Sequence, residues 1–196
     1  MPKQAKRKGK VIVLVAPSGA GKTSLSQRLV NEFSNISFSV SATTREPRSY
    51  EKDGVNYHFL SQEEFQEGIK NSRFLEWEEF YGGTRYGTLV SEVEKNHNSE
   101  YITLLDIEVN GALNVKKLYG DDCLSVFIKP PSLEVLEERL KKRGTENEHS
   151  LRLRLERAKH ELELEHKFDK VIVNDDFDQA YKELKQLVQQ YIHTHS

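Results

Sequence analysis

With Cys123 as its only cysteine, this 196-residue chain has no means of building a disulfide framework. A reduced, intracellular setting is the simplest expectation, with Cys123 a small buried side chain between Asp122 and an apolar strand at Leu124 to Ile128. No apolar stretch approaches the length of a membrane span and no signal-peptide core follows the N-terminus, so a cytoplasmic chain without a membrane partner is expected. Neither sign of charge dominates: 29 Lys and Arg against 31 Asp and Glu leave a formal net charge of −2, so bulk charge points to neither nucleic acid nor membrane. The N-terminus is the local exception, since Lys3, Lys6, Arg7, Lys8 and Lys10 precede the first acidic residue, Glu32. A basic tail over residues 1–10 has the charge for weak contacts with RNA or an anionic surface, and the plainer reading is a disordered solubilising extension. Repeats and low-complexity tracts are absent, and the length suffices to bury a real core.

What is present begins at Val11. The run VIVLV reads as a buried strand, Leu25, Leu29 and Phe33 at helical spacing read as the inner face of a helix, and APSGAGKT lies between them. Strand, tight loop and helix in that order are the context a phosphate-binding loop requires. Across Ala16, Pro17, Ser18, Gly19, Ala20, Gly21, Lys22 and Thr23, the two glycines let backbone N–H groups face phosphate oxygens, and the helix N-terminus adds partial positive charge. Lys22 is placed to meet β- and γ-phosphates, and the Thr23 hydroxyl a Mg²⁺ ion. Ala16 stands where the pattern G-x-x-x-x-G-K-[ST] has its first glycine. An ordinary strand-to-helix turn with an incidental Lys-Thr is the bland alternative, which the position after a buried strand disfavours.

Further strands of a buried parallel sheet are expected at Tyr101 to Leu105, Leu124 to Ile128 and Val171 to Val173, with helical patterns between them, the signature of an α/β doubly wound fold. Between the first helix and Tyr101 the pattern changes. Phe38 to Thr44, Tyr57 to Leu60 and Phe74 to Glu78 are short strand-like pieces forming a small inserted β-rich lobe, in which Ser61 and Glu64 make a capping box that opens a helix carrying Phe65 and Ile69 inward. Beyond Pro130-Pro131, Ser132 is an N-cap for a helix through Lys142 that stops at Gly144. A second helix carries Leu151, Leu155, Ala158 and Leu162 on one stripe, and Arg157 stands at i,i+4 from Glu161. This arginine-rich pair of helices reads as a hinged lid. A last amphipathic helix is expected over Asp178 to Ile192.

Two arginines three residues apart, Arg45 and Arg48, follow the hydroxyls of Ser41, Thr43 and Thr44. Guanidinium groups at close quarters repel unless they share an anion, and phosphate is their natural bidentate partner, with Tyr57 and Tyr86 available to complete a clamp. Pairing of both arginines with Glu46, Glu51 or Asp53 on a solvated surface explains the cluster equally well at this level. Asp106 follows a buried strand, where a carboxylate can hold Mg²⁺ through water.

Taken in order, APSGAGKT, SATTREPR, GVNYHF, FLEW, YGT, LDIEVNGA, RLKKRGTE and VIVND resemble the guanylate kinase family of nucleoside monophosphate kinases, over nearly everything after the basic tail. The resemblance implies a three-layer α/β/α P-loop fold divided into a core (11–38, 97–131 and 163–196), a GMP-binding lobe (39–96) and a lid (132–162). It implies transfer of the γ-phosphoryl group of ATP to GMP or dGMP. It implies that Arg45, Arg48, Tyr57 and Tyr86 hold the GMP phosphate, and that Ser41, Glu76, Thr88 and Glu108 line the guanine pocket. Guanine presents N1–H and an amino group, and one carboxylate such as Glu76 can accept from both. It further implies that Arg139, Arg143 and Arg154 close over ATP and that Asn174 lies near adenine; Arg152 and Arg157 read instead as surface ion pairs. The chain departs from the family with Glu108 for the usual aspartate, Asn110 for the usual glutamine and Thr88 for the commoner serine. Related scaffold domains that bind phosphopeptides lack the loop or the lid arginines, which this chain keeps, and a kinase of a sugar phosphate would have no use for Glu76. The sequence is silent on oligomeric state.

Overall fold

The computed structural model describes residues 9–142 and 148–194. The basic tail up to Lys8, Arg143 and the expected helix stop at Gly144 lie outside the described residues. In chain order the regular elements are β1 (Val11–Val15), α1 (Lys22–Glu32), β2 (Ile36–Phe38), β3 (Ser41–Thr43), β4 (His58–Phe59), α2 (Gln62–Lys70), β5 (Phe74–Glu79), β6 (Arg85–Leu89) and α3 (Val90–Asn98). They continue with β7 (Ile102–Asp106), α4 (Val109–Tyr119), β8 (Cys123–Lys129), α5 (Leu133–Lys142), α6 (Glu148–Glu163), β9 (Lys170–Val173) and α7 (Phe177–Thr194).

Five strands make a parallel sheet in the order β2-β7-β1-β8-β9, with β1 at its centre. Every residue of β1 is fully buried, because helices cover both faces of a parallel sheet and each side of the strand needs an apolar partner. Ile12 and Leu14 pack on one face with Leu25 and Leu29 of α1 and Leu184 and Val188 of α7. Val11, Val13 and Val15 pack on the other with Val93 of α3 and Val115 of α4. The architecture is therefore the expected α/β one with a parallel core sheet. No helix among the described residues is long and apolar enough to cross a membrane. Cys123 is buried, and desolvation pushes its thiol up to about 12, which leaves it an inert packing group.

A second sheet has the order β4-β3-β6-β5, in which β6 runs antiparallel to both β3 and β5. The segment Phe38 to Thr44, expected as one strand-like piece, is divided: β2 joins the parallel sheet, and β3 starts the second sheet after a break at Ser39 and Val40. Helix α2 opens with the expected capping box, the Glu64 N–H donating to Ser61 Oγ and the Ser61 N–H to the Glu64 carboxylate. It lays Phe65 against Phe74, ring centroids 4.2 Å apart, beside Ala42 and Leu89. Helices α5 and α6 pack on one another through Leu136, Leu140 and Ala158, and the Ser132 hydroxyl accepts from the Val135 N–H, the expected cap.

Candidate active site

The loop from Ala16 to Gly21 runs from the end of β1 into α1. Its positive φ angles are confined to Gly19 (+96°) and Gly21 (+95°), which is why Ala16 is tolerated where a glycine might be sought: its methyl group is buried in the core. Gly21 caps α1 without a side-chain hydrogen bond, so the first N–H groups of the helix stay turned toward the loop. A Cβ on Gly21 would overlap the Asn174 amide, which donates to the Ala20 carbonyl at 2.7 Å. Asn174 thus braces the loop from the end of β9. A cavity of about 220 Å³ lies against this loop, lined by Ala16 to Gly19 and Gly21 to Ser24, with Asp106 and Glu108 opposite.

Lys22 Nζ donates to the Ile107 carbonyl at 3.0 Å and pairs with Asp106 Oδ1 at 2.6 Å. Burial pulls the ammonium's pKa down, but Asp106 and Glu108 outweigh it and hold it above its ordinary value. Thr23 Oγ1 stands 3.5 Å from Asp106 Oδ2. Hydroxyl and carboxylate oxygens are what a hard cation such as Mg²⁺ takes. Among the described residues no three His, Cys, Asp or Glu side chains are grouped to hold a metal by themselves.

The second sheet builds the opposite wall of a larger cleft of about 1120 Å³ that also includes Lys22 and Thr23. Register places Ser41, Thr88 and Glu76 side by side across β3, β6 and β5, with Thr43, Tyr86 and Glu78 two residues along the same face. A bulge between Phe74 and Glu76 makes Leu75 an extra residue, so that successive side chains of FLE serve three places. Phe74 stacks on Phe65, Leu75 enters the main core, and Glu76 turns to the cleft. The Glu76 carboxyl is buried; Thr88, itself fully buried behind it, donates to its Oε1 at 2.6 Å. Desolvation pushes Glu76 up to about 7, with the hydrogen bonds from Thr88 opposing and the charges of Glu78 and Glu108 adding.

Of the candidate clamp, Arg45, Tyr57 and Tyr86 line this cleft. Arg45 Nε donates to the Tyr86 hydroxyl at 3.3 Å, and the Tyr57 and Tyr86 rings meet edge to face at 6.0 Å. The Arg45 guanidinium is also held in a two-pronged pair by Glu51, at 2.9 Å on each nitrogen. Arg48 is directed to the Tyr50 hydroxyl at 3.0 Å and is not among the lining residues. The pairing with Glu51 and the approach to the tyrosines coexist.

The arm formed by α5 and α6 meets the cleft from the third side. Arg154 donates to Ser18 Oγ of the loop at 2.8 Å, whereas Arg139 caps the carbonyls of Asn174 and Asp175 at 3.0 and 3.4 Å. Arg152 pairs with Glu156 on the surface as expected. Arg157 does not: it is half-buried in the cleft, donating to Glu78 Oε1 at 3.0 Å, Glu108 Oε2 at 3.1 Å and Glu161 Oε1 at 2.7 Å, with its guanidinium 4.6 Å from the Phe80 ring centroid. Only the Glu161 contact has a local sequence signal, the i,i+4 spacing. Glu161 is buried as well, and desolvation raises its pKa against the pull of Arg157.

A phosphate loop and a sheet wall carrying a buried carboxylate therefore face each other across one cleft. The sequence model described as guanylate kinase matches residues 8–191. The chain belongs to the guanylate kinase family. It is 49% identical over 182 residues to the guanylate kinase of Salinibacter ruber, covering 93% of this chain and 96% of that one. It is 45% identical over 194 residues to the guanylate kinase of Chlorobium luteolum, covering 99% and 98% of the two chains. The crystal structure of guanylate kinase from Anaplasma phagocytophilum superposes with a TM-score of 0.75 at 31% identity, covering 94% of this chain and 87% of that chain.

Gly111, whose place in the site has no local sequence signal, lies against Glu76. A Cβ there would overlap the Glu76 carboxylate, 2.9 Å from its Cδ and closer still to Oε2. Gly111→Ala is expected to displace Glu76 from its place against Thr88 and to raise the KM for GMP about tenfold, with the KM for ATP unchanged, since each lost charge-assisted hydrogen bond is worth about 1.5–3 kcal/mol. Steady-state kinetics with each substrate varied in turn check it, and equal KM shifts for both would show a general loosening instead.

Proposed function

We propose that this chain transfers the γ-phosphoryl group of ATP to GMP, and to dGMP, giving ADP and the nucleoside diphosphate. The observation that carries the reading is Glu76, a buried carboxylate lining the same cleft as Lys22 and the pair Arg45 and Tyr86. In its ionised form it presents two acceptors to the N1–H and amino group of guanine, whereas adenine would turn an unprotonated N1 toward it. A site built to satisfy such donors rejects the mismatched base by about 10⁴ or more. Ser41, Thr88 and Glu108 complete the base pocket in this reading, and Arg45, Arg48, Tyr57 and Tyr86 take the GMP phosphate. Residues 39–96 then form the GMP lobe, 132–162 the lid and the remainder after the tail the core. Cytoplasmic residence suits a chain whose one thiol is buried and reduced.

The nucleophile is an oxygen of the GMP phosphate, already ionised at neutral pH, so no side chain has to remove a proton. It attacks the γ-phosphorus as the bond to the β,γ-bridging oxygen breaks, and the leaving electron pair stays on ADP. Catalysis then comes from alignment and from cancelling charge between two anions. The loop from Ala16 to Thr23 holds the ATP phosphates, Lys22 stands at their β,γ end, and Arg154, one side chain from the loop, supplies charge from the arm. Arg143 and Arg139 are assigned the same duty, Arg139 by exchanging the carbonyls it now caps for phosphate oxygens. Thr23 directly and Asp106 through water would hold Mg²⁺, which when bound neutralises phosphate charge. Closure of the arm over the cleft would keep out water that could otherwise take the phosphoryl group.

A coupled assay of ADP formation with GMP, dGMP, AMP, UMP or no acceptor tests the proposal. Turnover is expected with the two guanine nucleotides only. Equal turnover with AMP, or none with any acceptor, would refute it, the latter outcome favouring a non-catalytic phosphate-binding domain.

A further inference from the structure

Three acidic side chains from three different parts of the molecule converge on a single guanidinium. Glu78 comes from β5 of the second sheet, Glu108 from the head of α4 on the parallel sheet, and Glu161 from α6 itself. Arg157, their common partner, is half-buried and backed by the Phe80 ring. Its pairs differ in kind from Arg152 and Glu156 on the same helix, whose side chains are 81% and 53% exposed. Exposed pairs of that sort contribute little, but removing a guanidinium shared by three partly or largely buried carboxylates leaves like charges facing each other across a short gap. Arg154 and Arg157 stand one turn apart on α6, so the same helical face touches the phosphate loop through Ser18 and the base wall through Glu78 and Glu108.

We propose that Arg157 is a positioning residue for the guanine nucleotide: it seats α6 on the base wall by clamping Glu78 to Glu108, so that the arm's arginines reach the phosphate loop only when the wall bearing Glu76 is in place. This inference rests on the reading of the cleft as a GMP site. Glu108 accordingly has a second duty, receiving the arm, and its extra methylene relative to aspartate gives the carboxylate the reach to do so. Lysine at 157 would keep the charge but not the planar fork that serves Glu78 and Glu108 together.

The test uses the full chain with Lys159→Cys on α6 and Lys70→Cys on α2, both exposed, spin-labelled in a protein whose native Cys123 is buried. Without nucleotides, Arg157→Ala is expected to broaden the label-to-label distance distribution, and Arg157→Lys to recover it in part. In the coupled assay Arg157→Ala is expected to raise the KM for GMP about tenfold while the KM for ATP moves less than about twofold, in the range usual for coupling between sites. An unchanged distance distribution overturns the proposal, as does a rise in both KM values together. Should Arg157→Ala fail to fold, Glu78→Gln removes one arm of the clamp and is held to the same two readouts. If the wild type proves inactive on GMP while the distribution still broadens, the activity reading fails and the seating of α6 by Arg157 stands.

Discussion

Lys22→Ala is expected to lower kcat by about 10³-fold or more while the protein stays folded. In phosphoryl transfer between two phosphates, the enzyme's main task is to offset negative charge where the bridging oxygen leaves, and about 4 kcal/mol of such stabilisation corresponds to a factor of about 10³. The ammonium is well placed for it: half-buried at the cleft wall, anchored to the Ile107 carbonyl at 3.0 Å, and held charged by Asp106 at 2.6 Å. An arriving phosphate therefore finds a fixed cation rather than a mobile one, and little reorganisation accompanies the reaction. Lys22→Arg should not restore the rate, because a planar fork cannot take the place of a compact ammonium between Asp106 and the loop. The loss should appear in kcat more than in the KM for ATP, since backbone N–H groups still bind the phosphates. Coupled kinetics together with a urea transition measure it. A folded Lys22→Ala protein within tenfold of the wild-type kcat would remove Lys22 from the mechanism.

Local chemistry made much of this molecule legible. VIVLV is apolar at every position because both its faces are covered, and Ser61 with Glu64 spells a helix start that needs no distant partner. What could not be read was the choice of partner among equals. Phe38 to Thr44 is strand-forming throughout, and nothing within it announces that β2 pairs with β7 while β3 pairs with β6, since pairing is decided by surfaces far away in sequence. The passage from β6 to α3 has no turn residue, Leu89 leading directly into Val90, so neither element stood out. The same limit governs the candidate site. Arg157 and Glu161 are visible as a helical pair, but Glu78 and Glu108 lie 79 and 49 residues before the arginine, and only the assembled cleft shows that the pair is inside rather than on the surface. For Arg45, the pairing with Glu51 open at the sequence level is present, on two nitrogens, while the third donates to Tyr86.

Glu76→Gln is expected to raise the KM for GMP about 100-fold, with a smaller fall in kcat and a narrower preference for GMP over AMP. Guanine offers two donors, and the carboxylate accepts both; the amide offers one acceptor and one donor, so one hydrogen bond becomes a donor facing a donor in a buried pocket, a change of about 2.7 kcal/mol. Folding should survive, because the amide oxygen can still accept from Thr88 Oγ1, now 2.6 Å from Glu76 Oε1. The pH dependence separates charge from shape. Burial raises Glu76 to about 7, so only roughly a tenth of the free enzyme carries the ionised, guanine-binding form at pH 6. For the wild type kcat/KM for GMP should therefore climb through about pH 7, and GMP binding near pH 6 should release protons, as calorimetry in buffers of different ionisation enthalpy would register; the variant should keep only the smaller part that comes from the GMP phosphate, whose second pKa lies at about 6. Stability runs in the opposite direction. A carboxyl whose folded pKa is raised binds its proton more tightly in the native state, so the contribution of Glu76 to the stability of the unliganded protein falls as pH rises from about 4.5, the unfolded value, through about 7. Glu76→Gln has no proton to lose there, and at pH 8 it should melt above the wild type while binding GMP far more weakly. An unchanged KM for GMP would mean that Glu76 does not read the base, and a melting-temperature difference between Glu76→Gln and wild type that stays constant over that interval would mean that it does not sit in the dry pocket argued for it.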